Sequence, residues 1–171
     1  MKTLSDHLTQ YAEYHRDKRN IATHFAGIPL IVLAVTTLLS VPALSVAIGG
    51  QSLNAAMLVL VLSCVFYLRL DIAFGLLMTV LMTGLTVAGM QINQQFAGQG
   101  LVIGIALFVV GWILQFIGHY FEKRKPAFVD DLVGLLVGPL FLVAEVAFVL
   151  GLATKERDEV LRRAGPTLIR S

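Results

Sequence analysis

Residues 115–128 read Gln115-Phe116-Ile117-Gly118-His119-Tyr120-Phe121-Glu122-Lys123-Arg124-Lys125-Pro126-Ala127-Phe128, a charged knuckle that closes one long apolar run and opens another. At ~100° per residue, Trp112, Gln115, His119 and Glu122 share one face of a single helix. An imidazole and a carboxylate one turn apart, at the mouth of a hydrophobic segment, make half of a metal site. The other half must come from elsewhere in the chain, and the amino-terminal segment offers His15, Asn20 and His24. The fold must therefore bring two polar segments, about a hundred residues apart, to one side of a bilayer.

The bilayer follows from composition. Of the 171 residues, 57% are apolar and 14% charged, whereas globular chains carry about 25% charged residues. The mean hydropathy is +0.80. Lys and Arg are confined to the amino-terminal segment, Arg69, the knuckle and the tail, which is the distribution of a polytopic membrane protein. The net charge of +2 and a pI near 8.9 come from these juxtamembrane positions. A basic face with interleaved aromatics is missing, so nucleic acid is not an expected partner. Cys64, the single cysteine, lies in an apolar run and reads as a small hydrophobe. Residues 1–20 are too polar for a signal peptide.

Outward from the knuckle, the pattern predicts an all-α polytopic bundle. Four spans are expected at about 25–46, 54–68, 72–91 and 101–119, with a fifth apolar stretch at 132–152. Gly134, Gly138 and Pro139 interrupt that stretch, so a broken or re-entrant helix is expected there, although a full crossing stays open. Residues 1–20 are expected to hold an interfacial amphipathic helix, because Leu4, Leu8, Tyr11 and His15 form one stripe. His7 is off that stripe. The whole of 1–153 reads as one membrane domain and 154–171 as a charged, solvated cytoplasmic tail. The stretches 47–53 and 92–100 read as uncharged loops.

Four crossings between 25 and 119 place Lys2, Arg16, Lys18, Arg19, Arg69, Lys123, Arg124 and Lys125 on one side, which the positive-inside rule makes cytoplasmic. His15, His24, His119 and Glu122 fall on that face too. Arg16-Asp17-Lys18-Arg19 breaks the amphipathic stripe, and Asn20 is placed to cap the next helix. The break has a use: on one continuous helix His15 and His24 would be ~900° apart, on opposite faces. They converge only if the chain turns near 16–20.

Three histidines at one membrane face suit zinc, copper or iron, and a carboxylate partner with open positions favours non-haem Fe(II) oxygen chemistry. Four histidines are too few for a binuclear histidine-box site. Each residue also has a plainer reading. His119 and His24 can be interfacial imidazoles bonded to carbonyls, His15 a packed side chain, Asn20 a cap, and Glu122 a partner of Lys125 or Arg124. Gly and Pro read as helix punctuation, and Lys123-Arg124-Lys125 as a topological anchor. Glu145, a carboxylate inside an apolar segment, marks a functional site or a buried partner.

Two motifs, His15-x4-Asn20-x3-His24-x2-Gly27-x-Pro29 and Trp112-x2-Gln115-Phe116-x-Gly118-His119-x-Phe121-Glu122-x3-Pro126-Ala127, with the later Pro139-Leu140-Phe141 and Glu145, resemble a known pattern. It is that of the small membrane family of Fe(II)-dependent 2-hydroxy fatty acid dioxygenases. The resemblance spans about residues 11–145, and Lys123 and Lys125 depart from the small residues typical there. It implies an enzyme that uses O2 and Fe(II) to shorten a 2-hydroxy fatty acid by its carboxyl carbon, in α-oxidation. The implied metal ligands are His15, His24 and His119. Glu122 would be a fourth ligand or an orienting group, and Asn20 and Glu145 hydrogen-bond partners of the ligands. Arg124 or Lys123 would pair with the substrate carboxylate, with Gln115 and Trp112 beside it. The expected location is a bacterial inner membrane or endoplasmic reticulum, and a homo-oligomer stays open. The rival readings are a non-catalytic lipid-binding or scaffolding protein and a zinc-dependent lipid hydrolase, the latter lacking a Ser nucleophile or HExxH helix.

Overall fold

The computed structural model describes residues 2–48, 51–126 and 133–169. Seven α-helices dominate: α1 (Leu4–Ala12), α2 (Lys18–Leu39), α3 (Ala55–Leu70), α4 (Ile72–Gln95), α5 (Gly100–Glu122), α6 (Gly134–Val149) and α7 (Thr154–Ala164). The chain divides into two compact units, one of Met1–Ile28 with Ile113–Ser171 and the other of Pro29–Trp112, so both boundaries fall inside helices, α2 and α5. The all-α membrane class expected from the sequence is the class observed.

The Pro29–Trp112 unit is a membrane bundle in its chemistry. Its helices leave large apolar side chains outside, such as Val80 and Val102, both 69% exposed. Contacts between helices run through small residues, as expected where lipid is as apolar as a side chain. A Cβ on Gly75 would sit 2.6 Å from the Leu68 Cα, and one on Gly89 would sit 2.6 Å from Thr36 Oγ1. Buried polar links are few: Asn93 Nδ2 donates to the Thr37 carbonyl at 2.8 Å and to Ser40 Oγ at 2.9 Å. Asp71 caps α4 by accepting from Phe74 N at 2.8 Å, which makes the tight turn from α3.

Among the described residues, α2, α4 and α5 are long and apolar enough to cross a bilayer, and the bent α6–α7 pair adds a fourth if it is one span. The span expected at 54–68 forms α3, whose 16 residues rise only about 24 Å, short of the ~20 residues a full crossing needs. The span expected at 25–46 ends at Leu39. After it come a 3-10 turn and an antiparallel ribbon, β1 (Ser45–Ile48) and β2 (Gln51–Asn54), with Val46 opposite Leu53, where a loop was expected. The Gly49-Gly50 dipeptide of that loop lies outside the described residues, as do Ala127 and Phe128 of the knuckle, residue 132 of the fifth stretch, and Arg170. The second expected loop starts later, because α4 continues to Gln95.

The fifth stretch does break, but not at Gly134, Gly138 or Pro139. Pro139 lies inside α6 among buried neighbours. The turn comes at 150–153, where Gly151 and Ala153 take φ values of 74° and 51°, and α7 leaves at 109° to α6. Gly138 serves packing: a Cβ there would stand 3.0 Å from the Tyr11 hydroxyl.

In the unit of Met1–Ile28 with Ile113–Ser171, α1 begins with a capping box. Thr3 Oγ1 accepts from Asp6 N at 3.2 Å and Asp6 Oδ2 accepts from Thr3 N at 2.9 Å. Its stripe of Leu4, Leu8, Tyr11 and Ala12 is buried against α6 and α7. The helix stops at Ala12, shorter than the 1–20 expected. The tail is not merely solvated: α7 buries Val160, and Arg163 pairs with Asp6 at 2.9 Å.

Candidate metal centre

Two arms of this unit meet at three imidazoles. The first arm is the turn between α1 and α2. His15 N bonds back to the Ala12 carbonyl at 2.9 Å, so His15 leaves the helix and stands clear of the α1 axis. Asp17 starts α2: its Oδ1 accepts from Arg19 N at 2.8 Å, and its carbonyl accepts from Ile21 N at 3.1 Å. Asp17 is therefore the cap, a correction to the expectation for Asn20, which sits one turn inside with its side chain buried. The second arm is the end of α5, carrying Gln115, His119 and Glu122 on the face expected.

His15, His24 and His119 are 1%, 2% and 6% exposed. One ring nitrogen of each lies within 4.8 Å of the corresponding atoms of the others. His15 Nδ1 donates to the Tyr11 carbonyl at 2.7 Å, and His24 Nδ1 to the Asn20 carbonyl at 2.9 Å. A carbonyl only accepts, so both protons are on Nδ1 and both Nε2 atoms carry lone pairs. Yet the two Nε2 atoms face each other at 3.1 Å. Two lone pairs at that distance repel unless a cation lies beside them. A proton is a poor candidate: burial, and then the neighbouring His24, hold His15 well below the ordinary imidazole range. A divalent ion fits, since bonds of 2.0–2.1 Å set adjacent nitrogens about 3.0–3.4 Å apart. His119 Nδ1 is also buried with no hydrogen-bond partner, which leaves a third donor available.

The arms are tied by Glu122, which is fully buried. Its Oε2 accepts from Arg16 N at 2.9 Å, Asp17 N at 2.7 Å and Asn20 Nδ2 at 3.1 Å. With that oxygen committed to three donors, Glu122 joins the two arms, and the side chains close enough together to hold an ion are the three histidines. Gly118 makes the approach possible, because a Cβ there would collide with Thr23 Oγ1 and Asn20 Oδ1 and stand 3.1 Å from His24 Nδ1. Tyr11 stacks on His15, with centroids 4.1 Å apart and planes 3° apart, and Phe141 packs 5.0 Å from Tyr11.

A strap from the tail closes the turn from the other side. Leu168 N donates to the Arg16 carbonyl at 2.8 Å and Lys18 N to the Leu168 carbonyl at 2.9 Å. The Arg16 guanidinium donates to the carbonyls of His15 at 3.0 Å and Gly165 at 2.8 Å. The break at 16–19 is thus a buried joint: Arg16 is 4% exposed and Asp17 0%.

Glu145 faces Arg16 at 3.6 Å. Arg124 donates to the Glu13 carbonyl and lies 5.2 Å over the Tyr14 ring, while Lys123 is exposed at a φ of 56°. Gln115 is buried one turn before His119 with Nε2 unpartnered. Trp112 belongs to the other unit, 5.9 Å from Phe108. Sequence reasoning gave no site role to Tyr11, Gly118, Arg16, Asp17 or the strap, although Tyr11 lies on the apolar stripe one turn before His15 and Gly118 within the second motif.

A protein-family model described as Mpo1-like, 2-hydroxy-palmitic acid dioxygenase Mpo1-like, matches residues 1–150. The chain is also 34% identical over 164 residues to 2-hydroxy-palmitic acid dioxygenase MPO1 of Saccharomyces cerevisiae, covering 91% of this chain and 88% of that protein. No solved structure matches.

Proposed function

Because the chain belongs to the Mpo1-like family of 2-hydroxy-palmitic acid dioxygenases, we propose that it is a membrane-embedded mononuclear Fe(II) dioxygenase of 2-hydroxy fatty acids. The observation that carries this reading is the pair of imidazole lone pairs held at 3.1 Å in a buried site. His15, His24 and His119 would hold the ion, and Fe(II) supplies the one-electron oxygen chemistry that protein side chains lack. Neutral nitrogen donors alone would also take zinc, and the dioxygenase activity named for the family supports iron in this proposal. The proposed reaction consumes one O2 and returns a fatty acid one carbon shorter, with the carboxyl carbon leaving as CO2 together with one water.

The chain's own residues orient and exclude. The Tyr11 and Asn20 carbonyls fix the tautomers of His15 and His24. Glu122 keeps the turn at 16–17 and Asn20 in register with α5, so the ligands are set before an ion arrives. Tyr11 and Phe141 shield His15 from water. The lysines and arginines near the centre argue for the cytoplasmic side of the membrane.

The test is anaerobic reconstitution of the purified protein with Fe(II), followed by oxygen uptake with and without 2-hydroxypalmitic acid. Uptake should require both, and pentadecanoic acid should appear in step with it. Uptake that ignores the fatty acid, or turnover with zinc in the absence of oxygen, would overturn the reading. A protein that binds the lipid but no stoichiometric metal would be the non-catalytic alternative.

A further inference from the structure

One groove in the unit that carries the centre has no assigned role. It encloses about 390 Å³ and is lined by Lys18, Ile21 and Phe25 of α2, Glu145, Val146, Val149 and Leu150 on and after α6, and Thr167 of the strap. That volume lies in the range of small-molecule sites. Lys18, Ile21 and Phe25 are spaced i, i+3, i+7, one stripe of α2. Asn20 and His24, which belong to the centre, immediately precede Ile21 and Phe25. The apolar wall is uncovered: Phe25 is 42% exposed, Val146 46% and Val149 86%.

The polar lining is specific. Lys18 is exposed, and its ammonium has no carboxylate partner among the described residues. Glu145 is the single carboxylate in the groove, and it is linked through Arg16 to the His15 turn. One cation, one acceptor and a long apolar wall complement an amphiphile that carries an anion and a hydroxyl donor at one end.

We propose that this groove docks the free 2-hydroxy fatty acid, with Lys18 pairing its carboxylate, Glu145 accepting from its 2-hydroxyl, and Ile21, Phe25, Val146 and Val149 covering its chain. The assignment rests on the function proposed above and adds the substrate's position beside the centre. It replaces Lys123 and Arg124 as the carboxylate partners, since Arg124 is engaged with Glu13 and Tyr14.

The experiment uses the full chain in phosphatidylcholine vesicles and a 2-hydroxy fatty acid bearing a diazirine in the half of its chain nearer the carboxylate, with labelled peptides mapped after irradiation. Label is expected on residues 21–25 and 146–150 and should be displaced by 2-hydroxypalmitate. Loss of a charge-assisted hydrogen bond corresponds to about tenfold in affinity, so palmitate should displace about tenfold less well and Lys18→Glu should label about tenfold less. Val149→Trp should block labelling while retaining stoichiometric metal, which shows that the fold survives. Label absent, confined to residues 29–112, or displaced equally by 2-hydroxypalmitate and its methyl ester would overturn the assignment. A correctly labelled groove in a protein that consumes no oxygen would overturn the proposed reaction and leave the groove standing. Normal turnover with label elsewhere would do the reverse.

Discussion

The two units of this chain bury their interiors by opposite means. In Pro29–Trp112 the contacts are made by glycines, threonines and aliphatic side chains, and the hydrogen bonds between elements are isolated, as with Asn93 to Thr37 and Ser40. In Met1–Ile28 with Ile113–Ser171 the interior holds His15, Arg16, Asp17, Asn20, His24 and Glu122, tied into one network, with His119 against the rings of His15 and His24. An apolar contact tolerates small shifts, whereas a buried polar network fails as a whole when one member is left unpaired. The difference teaches how each interior is selected: the first unit meets the demands of lipid, and the second holds a buried polar geometry in which three imidazoles meet.

The sharpest way to break this comparison is to remove a ligand. His24→Ala should abolish stoichiometric metal, measured by elemental analysis of purified protein, while Asn93→Ala in the other unit keeps it. Full metal in His24→Ala would dissolve the distinction. Next in size is Glu122→Ala, which strands three buried N–H donors. It should cost about 3 kcal/mol or more in denaturant unfolding and lower metal occupancy as well. The paired glycine substitutions follow. Gly118→Ala forces a Cβ into Thr23 and Asn20 and should destabilise by about 1–3 kcal/mol. Gly84→Ala, with nothing within 4 Å, should instead stabilise its helix by about 0.5–1 kcal/mol.

Acid gives a graded test. Because the folded His15 sits below its unfolded value near 6.5, the unfolded chain binds the extra proton first. Stability of the metal-free protein is therefore complete above about pH 6.5 and falls below it, by at most about 1.4 kcal/mol per pH unit for one group. Thermal unfolding from pH 7.5 to 5 should show this loss, and bound metal should diminish it. A rise in stability toward pH 5 would contradict the sign. The smallest effect belongs to the strap: Leu168→Pro deletes one backbone donor to Arg16 and should weaken metal retention with a cost of about 1 kcal/mol. Leu168→Ala keeps both backbone bonds, and its side chain is 59% exposed, so it should behave as wild type in a chelator competition.

Much of the arrangement was legible along the chain. The apolar runs announced α2, α4 and α5, because membrane burial is a local property of some twenty consecutive residues. The turn between His15 and His24 was forced by helical geometry, and the structure places it at 13–17. The face Gln115–His119–Glu122 followed from the same periodicity. The errors share another origin. Asn20 was read as a cap when Asp17 takes that part, and Arg16 and Asp17 were read only as a break in the apolar stripe when both are buried. Local pattern reports a charge but not the partner that cancels it. Glu145, expected as a hydrogen-bond partner of the ligands, faces Arg16, a neighbour that local pattern could not name.

What the sequence by itself determined is the class of the protein and the two segments whose three imidazoles the fold brings together, since hydropathy and helical spacing act over a few turns. Only the tertiary structure decided that Glu122 clasps residues 16, 17 and 20, that Gly118 is a point of contact, and that the tail straps the ligand turn. Those contacts join groups about a hundred or more residues apart, and the free energy that selects them belongs to the packed whole, where a buried donor must find whichever acceptor the fold delivers.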